Sequence, residues 1–181
     1  MIISMMSMLH ARHFGAYWLV MMTPFVLLSA CSDDRQGSES NFEYVHLENY
    51  EPGMNMPYTP AMKVRSGSIV FLAGVTAAPV YHSHPHIASE FDDIPTDSAG
   101  QAEMAMENLL AVLEAAGGEL TDIVQLNRFI VDIDRNQDGI NSVAARYLGD
   151  HRPASTTVEV TRLATDPRLV LELEAIAVVP E

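Results

Sequence analysis

Apolar and polar residues alternate along two segments near the C-terminal end of the chain. These segments, Thr156–Leu163 and Leu169–Val178, are joined by a turn that contains Asp166-Pro167. Alternation with a period of two predicts two strands. One face of the second strand is apolar and consists of Leu169, Leu171, Leu173, Ala175 and Ala177. The other face consists of Val170, Glu172, Glu174, Ile176 and Val178. Carboxylates between apolar neighbours are unusual on a solvated face, so we expect a pocket wall or a subunit contact there.

Two other segments repeat with the period of a helix. Ser98–Ala116 has one apolar stripe, formed by Ala102, Ala105, Met106, Leu109, Leu113 and Ala116. This spacing predicts an amphipathic helix. Ser98 and Gln101 resemble a capping box at its start, and Gly117-Gly118 is expected to end it. Gln137–Leu148 predicts a second helix that ends near Gly149.

The remaining strands are predicted before and between the helices. Phe42–Leu47 is a first short strand, and Ala61–Val64 and Ser68–Ala73 read as a hairpin around Ser66-Gly67. Ile123–Ile133 has apolar positions on both faces, which is typical of a central strand. The order of strands, helix, strand, helix and two strands predicts an α+β domain with both helices on one face of a mixed sheet.

The N-terminal segment predicts a lipoprotein signal. Arg12 precedes an apolar run from Ala16 to Ala30, and Cys31 follows Leu-Ser-Ala in the manner of a bacterial lipobox. The run is interrupted by Pro24 and is shorter than the roughly 20 residues of a membrane span. We expect a signal peptide at 1–30, a polar lipid-anchored tether at 31–41 and one domain at 42–181. The expected location is the periplasmic side of the bacterial envelope, on the inner or the outer membrane.

Charge and cysteine content narrow the function further. The chain has 24 acidic and 10 basic residues and a net charge of −14. Such an acidic chain lacks the positive surface that nucleic-acid binding requires, so no nucleic-acid partner is expected. Its single cysteine is Cys31. We interpret that residue as a lipid attachment point, and no disulfide is expected.

The stretch Arg152–Val179 resembles the C-terminal signature of the RidA/YjgF family of small trimeric imine and enamine deaminases. Pro57-Tyr58 and Gly74 match two further positions of that family. The resemblance implies a YjgF-like, chorismate-mutase-like fold and a homotrimer with ligand clefts between the subunits. It covers most of the chain from Tyr58 onwards.

The resemblance also implies which residues form the site. Glu172 matches the glutamate that orients the attacking water, while Tyr58, Gly74 and Asn141 match pocket positions. Ser155 departs from the pattern, because the deaminases have an arginine there that holds the substrate carboxylate. A guanidinium binds a carboxylate through two parallel hydrogen bonds, which serine cannot do. Arg128 and Arg152 are the residues that could replace the missing charge.

The segment Ala77–Asp97 is a long irregular loop, and loops of this length in compact domains are often functional. It contains His82, His84 and His86, and imidazoles are common ligands of zinc and copper. Pro85 disfavours the regular strand that would direct all three rings to one side. We therefore interpret the segment as a solvated or pocket-lining loop and predict no metal centre, keeping the three histidines as the candidate ligands.

Asp134–Gly139 matches the opening half of a calcium loop, with side-chain oxygens at positions one, three and five and glycine at position six. The twelfth position is Ala145 instead of the required glutamate. We interpret these residues as a turn between a strand and a helix.

The sequence thus predicts a hydrolase or deaminase of small imine or enamine substrates, without a cofactor. Because Ser155 lacks a charge, α-imino acids are expected to be poor substrates. The alternative is a non-catalytic trimer that binds a small molecule in the same cleft. The expected partners are a small-molecule ligand, further copies of the chain and, through the lipid, a membrane.

Overall fold

The computed structural model describes residues 40–53 and 56–181. The predicted signal peptide, Cys31 and the tether up to residue 39 lie outside this part of the chain. The described elements are β1 (Phe42–Val45), β2 (Ala61–Val64), β3 (Ser68–Val75), α1 (Ser98–Ala115), β4 (Ile123–Val131), α2 (Ile133–Leu148), β5 (Ala154–Val160) and β6 (Leu171–Val179). No helix within the described ranges has the length and hydrophobicity needed to cross a membrane.

The α+β fold predicted from the sequence is confirmed. Four strands form one mixed sheet in the order β3-β6-β4-β5. β6 runs antiparallel to both β3 and β4, and β5 runs parallel to β4. The last two strands of the chain therefore do not pair with each other, since β4 lies between them. The predicted central position of β4 is correct.

Both helices cover the same face of this sheet, as predicted. Leu171, Leu173, Ala175 and Ala177 of β6 point into a core that also contains the apolar stripe of α1 and Ile140 and Val143 of α2. The alternation along β6 is what directs these side chains to one side. The helix-covered face is therefore the main core of the domain.

The start of α1 differs from the prediction. Asp97 is the N-cap residue, and its carboxylate accepts a hydrogen bond from Gly100 N at 2.8 Å. Gln101 is buried and instead bonds backbone groups of the neighbouring loops: its amide nitrogen donates to the Pro95 and Arg168 carbonyls, and its oxygen accepts from Val170 N. The capping box of Ser98 and Gln101 is thus wrong. The helix ends before Gly117-Gly118, as expected.

The second helix begins earlier than predicted, at Ile133. Asp134–Gly139 is consequently helical, and its interpretation as a turn is wrong. Glu159 of β5 accepts a hydrogen bond from Ile133 N, and the buried Asn136 donates to the Val131 carbonyl at 2.7 Å. At Gly139 a Cβ would lie 2.5 Å from Ser98 Oγ. The glycine is thus explained by a close approach of the two helices.

The predicted hairpin of β2 and β3 is also wrong. β2 pairs antiparallel with β1 in a separate two-stranded sheet, whereas β3 pairs with β6. His151 connects this small sheet to the core. Its Nε2 donates to the Ile123 carbonyl at 2.7 Å, and its Nδ1 accepts from the Tyr44 hydroxyl at 2.8 Å.

The second face of the large sheet is only partly covered. The long loop and the turn before β6 bury a small cluster against one end of it, made of Ala77, Ala78, Phe91, Ile94, Leu163 and Leu169. The rest of that face, here called the open face, exposes Ile69 by 55%, Phe71 by 77% and Val158 by 43% in the single chain. Exposed apolar residues next to one another on a sheet are typical of an interface.

Candidate functional site

The predicted site residues lie at the two opposite edges of the large sheet. Gly74 of β3 and Glu172 of the adjacent β6 line one cavity. Ser155 of β5 and Asn141 of α2 line another. Because β3 and β5 are the two edge strands, one chain does not bring these two pairs together.

The first cavity, here called the Glu172 cavity, has a volume of about 250 Å³ and includes Gly74, Tyr81, His82, Thr165 and Glu172 in its wall. The Glu172 side chain is half-buried on the side of β6 away from the helices. Burial raises the pKa of Glu172 above its ordinary value of 4.5, and the negative charge of Glu174 adds to this effect. A carboxylate with a raised pKa is suited to accept and return a proton near neutral pH.

Gly74 makes room for this carboxylate. The pairing of β3 with β6 shifts register between Leu72 and Val75, so the backbone around Gly74 is irregular. A Cβ on Gly74 would lie 2.0 Å from Glu172 Oε1. Any larger residue would therefore displace the carboxylate, which explains a glycine at this position.

The second cavity, here called the Ser155 pocket, has a volume of about 420 Å³ and lies between β4, β5 and α2. Arg128, Asn141 and Ser155 line it, together with Arg152 and Pro57. Ser155 Oγ donates to the Leu126 carbonyl at 2.9 Å, so the hydroxyl proton is used by the backbone. Ser155 Oγ can therefore accept a hydrogen bond from a ligand in the pocket but has no proton left to donate to one.

Arg128 provides a positive charge in the Ser155 pocket. Its Nη1 donates to Asn141 Oδ1 at 2.7 Å, while its Nε is buried without a hydrogen-bond partner among the described residues. Burial lowers the pKa of Arg128, but guanidinium groups remain charged in proteins. A buried donor without a partner is costly unless a ligand or water satisfies it. The arrangement therefore suits an anionic group.

Tyr58 lines a third cavity of about 310 Å³ with Tyr44, Tyr50 and Arg152. Arg152 also lines the Ser155 pocket, so the two cavities are neighbours. The Arg152 guanidinium donates to the Gly149 and His151 carbonyls. Both arginines thus have guanidinium donors without an acceptor among the described residues, but only Arg128 has one that is buried.

The structure brings His82, His84 and His86 together, although no regular strand contains them. One ring nitrogen from each lies within 4.8 Å of the others. We call these three residues the histidine triad. The sequence argument required a strand to collect the rings, but an irregular loop does so instead. Sequence reasoning also missed that His82 and Tyr81 reach the Glu172 cavity, because no periodicity relates a loop to a distant strand.

Comparisons with known proteins identify relatives of this chain. Residues 49–179 match the family model described as endoribonuclease L-PSP. A RutC family protein of Pyrococcus horikoshii is 34% identical over 135 residues, which is 75% of this chain and 96% of that protein. TdcF of Escherichia coli, whose name describes a reactive intermediate deaminase, is 32% identical over 130 residues, covering 70% of this chain and 90% of TdcF.

Solved structures have the same fold. A crystal structure of TdcF with bound serine matches with a TM-score of 0.51 and 33% identity, over 70% of this chain and 91% of TdcF. A Rid family protein of Yersinia pestis matches with a TM-score of 0.61 and 25% identity, over 77% of this chain and 99% of that chain.

The close contact between Gly74 and Glu172 gives a first prediction. In Gly74→Ala, the added methyl group should push the Glu172 carboxylate out of its cavity towards water. The pKa of Glu172, followed by NMR titration of its side-chain carboxyl, should then fall back towards the ordinary value. Gly53→Ala is the matched control, because no atom lies within 4 Å of a Cβ at Gly53. An unchanged pKa in Gly74→Ala would contradict this account of the glycine.

Proposed function

The chain belongs to the RidA/YjgF family, and we propose on this basis that it is a hydrolytic deaminase of small imines or enamines. The half-buried Glu172 beside Gly74 is the observation that carries the proposal. These residues provide a proton acceptor and, through the missing side chain of Gly74, room for its carboxylate in the wall of a cavity of about 250 Å³. Deaminase activity also agrees with the name of TdcF, which describes a reactive intermediate deaminase.

The description endoribonuclease L-PSP suggests RNA as a substrate, but the charge of this chain argues against that. RNA binding needs basic residues that neutralise phosphates, and its affinity depends on their number. With a net charge of −14, the chain repels a polyanion at long range. A small substrate that fits a cavity of a few hundred Å³ is the better match.

The proposed reaction adds water to a carbon–nitrogen double bond. The imine enters as its protonated iminium, and Glu172 takes a proton from water while the water oxygen bonds to the iminium carbon and the π electrons move to nitrogen, which gives a neutral carbinolamine. Glu172 then gives that proton to the nitrogen, and it takes the hydroxyl proton as the carbon–nitrogen bond breaks and the carbonyl forms. The products are a carbonyl compound and ammonia, which leaves as ammonium with the proton that Glu172 took from the hydroxyl. Such proton transfer by a positioned side chain contributes roughly 10²–10⁴-fold to a rate.

The substrate preference depends on Ser155 and Arg128 together. Ser155 cannot form the paired hydrogen bonds of an arginine, so α-imino acids lose their main contact. Arg128 retains a positive charge in the same pocket, and its Nη1 donates to Asn141, which also lines the pocket. We therefore propose that a carboxylate enters the pocket but is held weakly, which makes α-imino acids poor substrates. The serine bound to TdcF supports a small ligand in this family fold.

A complete site would require more than one copy of the chain. The Glu172 cavity and the Ser155 pocket lie at opposite sheet edges, so the β5 edge of one copy must meet the β3 edge of another. Contacts between two different surfaces of identical chains form a ring when the rotation that relates neighbouring copies closes. The exposed Phe71 and Ile69 of the open face are the apolar surface that such a ring would bury. The family resemblance suggests that the ring contains three copies.

The N-terminal signal adds a location to this proposal. We propose that Cys31 is lipidated and that the domain faces the periplasm from a bacterial membrane. In Cys31→Ala, processing should fail or the protein should leave the membrane fraction, as measured by fractionation and metabolic labelling with a fatty acid. Cys31→Ala that is still labelled and membrane-bound would contradict lipidation at this residue.

The activity prediction uses 2-iminobutanoate generated enzymatically, with its loss followed in time. Wild type should hydrolyse it slowly and with a high KM. Glu172→Gln should lower kcat by at least about 100-fold, because glutamine cannot accept the proton. Since the pKa of Glu172 is raised, kcat/KM should fall as pH drops through a value above 4.5.

The same assay tests the weak binding of the carboxylate. Ser155→Arg should lower KM, and Arg128→Gln should lower kcat/KM about ten- to hundredfold, as expected for the loss of a charged hydrogen bond. The exposed Arg162 provides the control Arg162→Gln, which should behave as wild type. Strong wild-type activity with a low KM would contradict weak binding of the substrate carboxylate. If neither wild type nor any variant hydrolyses 2-iminobutanoate or neutral imines, the non-catalytic binding protein is favoured.

The assembly prediction concerns the open face. Sedimentation of the purified protein should show a trimer at micromolar concentration. Phe71→Glu should sediment as a monomer, because an unpaired carboxylate would have to be buried in the interface. Ile87→Glu is the control, since Ile87 is 52% exposed and lies in the long loop outside the Glu172 cavity. Trimeric Phe71→Glu would show that the open face is not the interface.

A further inference from the structure

The histidine triad is arranged as a ligand set. Its ring centroids are separated by 4.9 Å, 5.0 Å and 4.9 Å, so the three rings form a nearly regular triangle. Among the described residues, no hydrogen bond joins one of these rings to another. Protonated rings at these distances would repel each other, whereas a shared ligand between the rings would bind all three in their neutral form.

Neighbouring residues hold the loop in this shape. Glu90 accepts hydrogen bonds from Ser83 N at 2.9 Å and from Ser83 Oγ at 2.8 Å. Ser83 lies between His82 and His84, so these hydrogen bonds fix the backbone from which both histidine side chains extend. The rings of His82 and His86 also pack edge-on against Phe91, at 5.3 Å and 5.5 Å. Because Phe91 is fully buried, two of the three rings rest on a rigid support.

The hydrogen bond of His82 selects its tautomer. Nδ1 of His82 lies 2.9 Å from the Pro79 carbonyl oxygen. A carbonyl only accepts, so Nδ1 carries the proton and the neutral ring has its lone pair on Nε2. Histidines that bind metals almost always donate from the other ring nitrogen to a carbonyl or carboxylate in this way. His82 is therefore already in the form that a metal ligand needs.

We propose that the histidine triad binds a divalent first-row transition metal ion, of which zinc and copper are the best matches. An ion at the centre of a triangle with 4.8 Å sides would lie about 2.8 Å from each corner, so ring movements of under about 1 Å reach the 2.0–2.1 Å of zinc–nitrogen bonds. Ligands made of three neutral imidazoles favour zinc and copper over magnesium and calcium, which prefer oxygen.

The proposed ion has an open coordination position next to the Glu172 cavity. Three protein ligands leave at least one position of a tetrahedral zinc for water or another small ligand. His84 and His86 are exposed, and His82 contributes to the wall of the Glu172 cavity. The ion would thus lie at an accessible rim of that cavity. This inference does not rest on the proposed deaminase reaction, since ion binding is measured without a substrate.

The test compares metal binding by the full chain, purified without a polyhistidine tag. Zinc and copper are titrated against a coloured chelator, with and without His84→Gln or His86→Gln. These two rings are exposed, so glutamine should leave the fold intact, which metal-free melting temperatures check. His46→Gln is the control, because His46 is exposed and stacks on Tyr50 outside the loop. Metal binding at other places in the chain should be the same in wild type and in the triad variants, so any difference between them reports on the histidine triad.

We expect wild type and His46→Gln to bind one equivalent of zinc with the same affinity. Each triad variant should bind zinc at least about tenfold more weakly, since even the loss of a group that only orients a metal ligand lowers metal affinity 10–100-fold. Copper should bind tighter at the same place. Zinc should also raise the melting temperature of wild type but not of the triad variants.

The proposal is overturned if wild type binds no zinc or copper at 100-fold molar excess. It is equally overturned if the number of ions and their affinities are the same in wild type and the triad variants. Should a variant fail to fold, NMR of the wild-type imidazole protons decides: zinc must shift the signals of three histidines together, and unshifted signals reject the site.

Discussion

The alternation of side chains along β6 is the constraint on which the core and the candidate site both depend. Leu171 and Leu173 are 1% and 2% exposed, and Glu172 lies between them. Burying each leucine contributes about 1.5–3 kcal/mol. A slip of the strand by one residue would send the carboxylate into the core and the leucines out of it. The energy that fixes the fold therefore also fixes the direction of Glu172.

β6 pairs with both β3 and β4, so its register determines which side chains of those two strands face the helices. The irregular pairing near Gly74 interrupts the sheet at the point where the carboxylate needs space. On the far side of β4, the same sheet orients Ser155 and Arg128 towards α2. The domain therefore holds two rigid half-sites whose chemistry differs, one with a proton acceptor and one with a cation. Their separation is a property of the sheet order, not of any loop.

Much of the fold followed from periodicity in the sequence. The stripe of α1 and the faces of β6 were predictable because burial on one side imposes a repeat of 3.6 or two residues. Partner choice was less predictable: β2 and β3 are joined by a short turn, yet β2 pairs with β1. Local spacing indicates that a strand exists but does not determine which edge it joins. The start of α2 was missed for a similar reason, since Asn136 and Glu159 stabilise it through contacts with other strands.

The site residues were found by their resemblance to a family, and the structure adds what surrounds them. Ser155 indicated a missing charge, but Arg128, a buried cation of the pocket, is contributed by a neighbouring strand. That relation depends on the parallel register of β4 and β5, in which Leu126 lies opposite Ser155. The histidine triad depends still more on tertiary structure, because Phe91 and Glu90 position the rings from a later turn of the loop.

His151 couples the attachment of the small β1–β2 sheet to proton uptake. Only the neutral ring can accept from Tyr44 at Nδ1 while donating to Ile123 at Nε2. Burial lowers the pKa of His151 below 6.5, despite the opposing effect of the Ile123 carbonyl. The unfolded chain therefore binds more protons at this residue than the folded one, so the bridge stabilises the domain above pH 6.5 and progressively less below it. Protonation of the ring removes its acceptor for the Tyr44 hydroxyl, so acidification weakens the connection between the small β1–β2 sheet and the core.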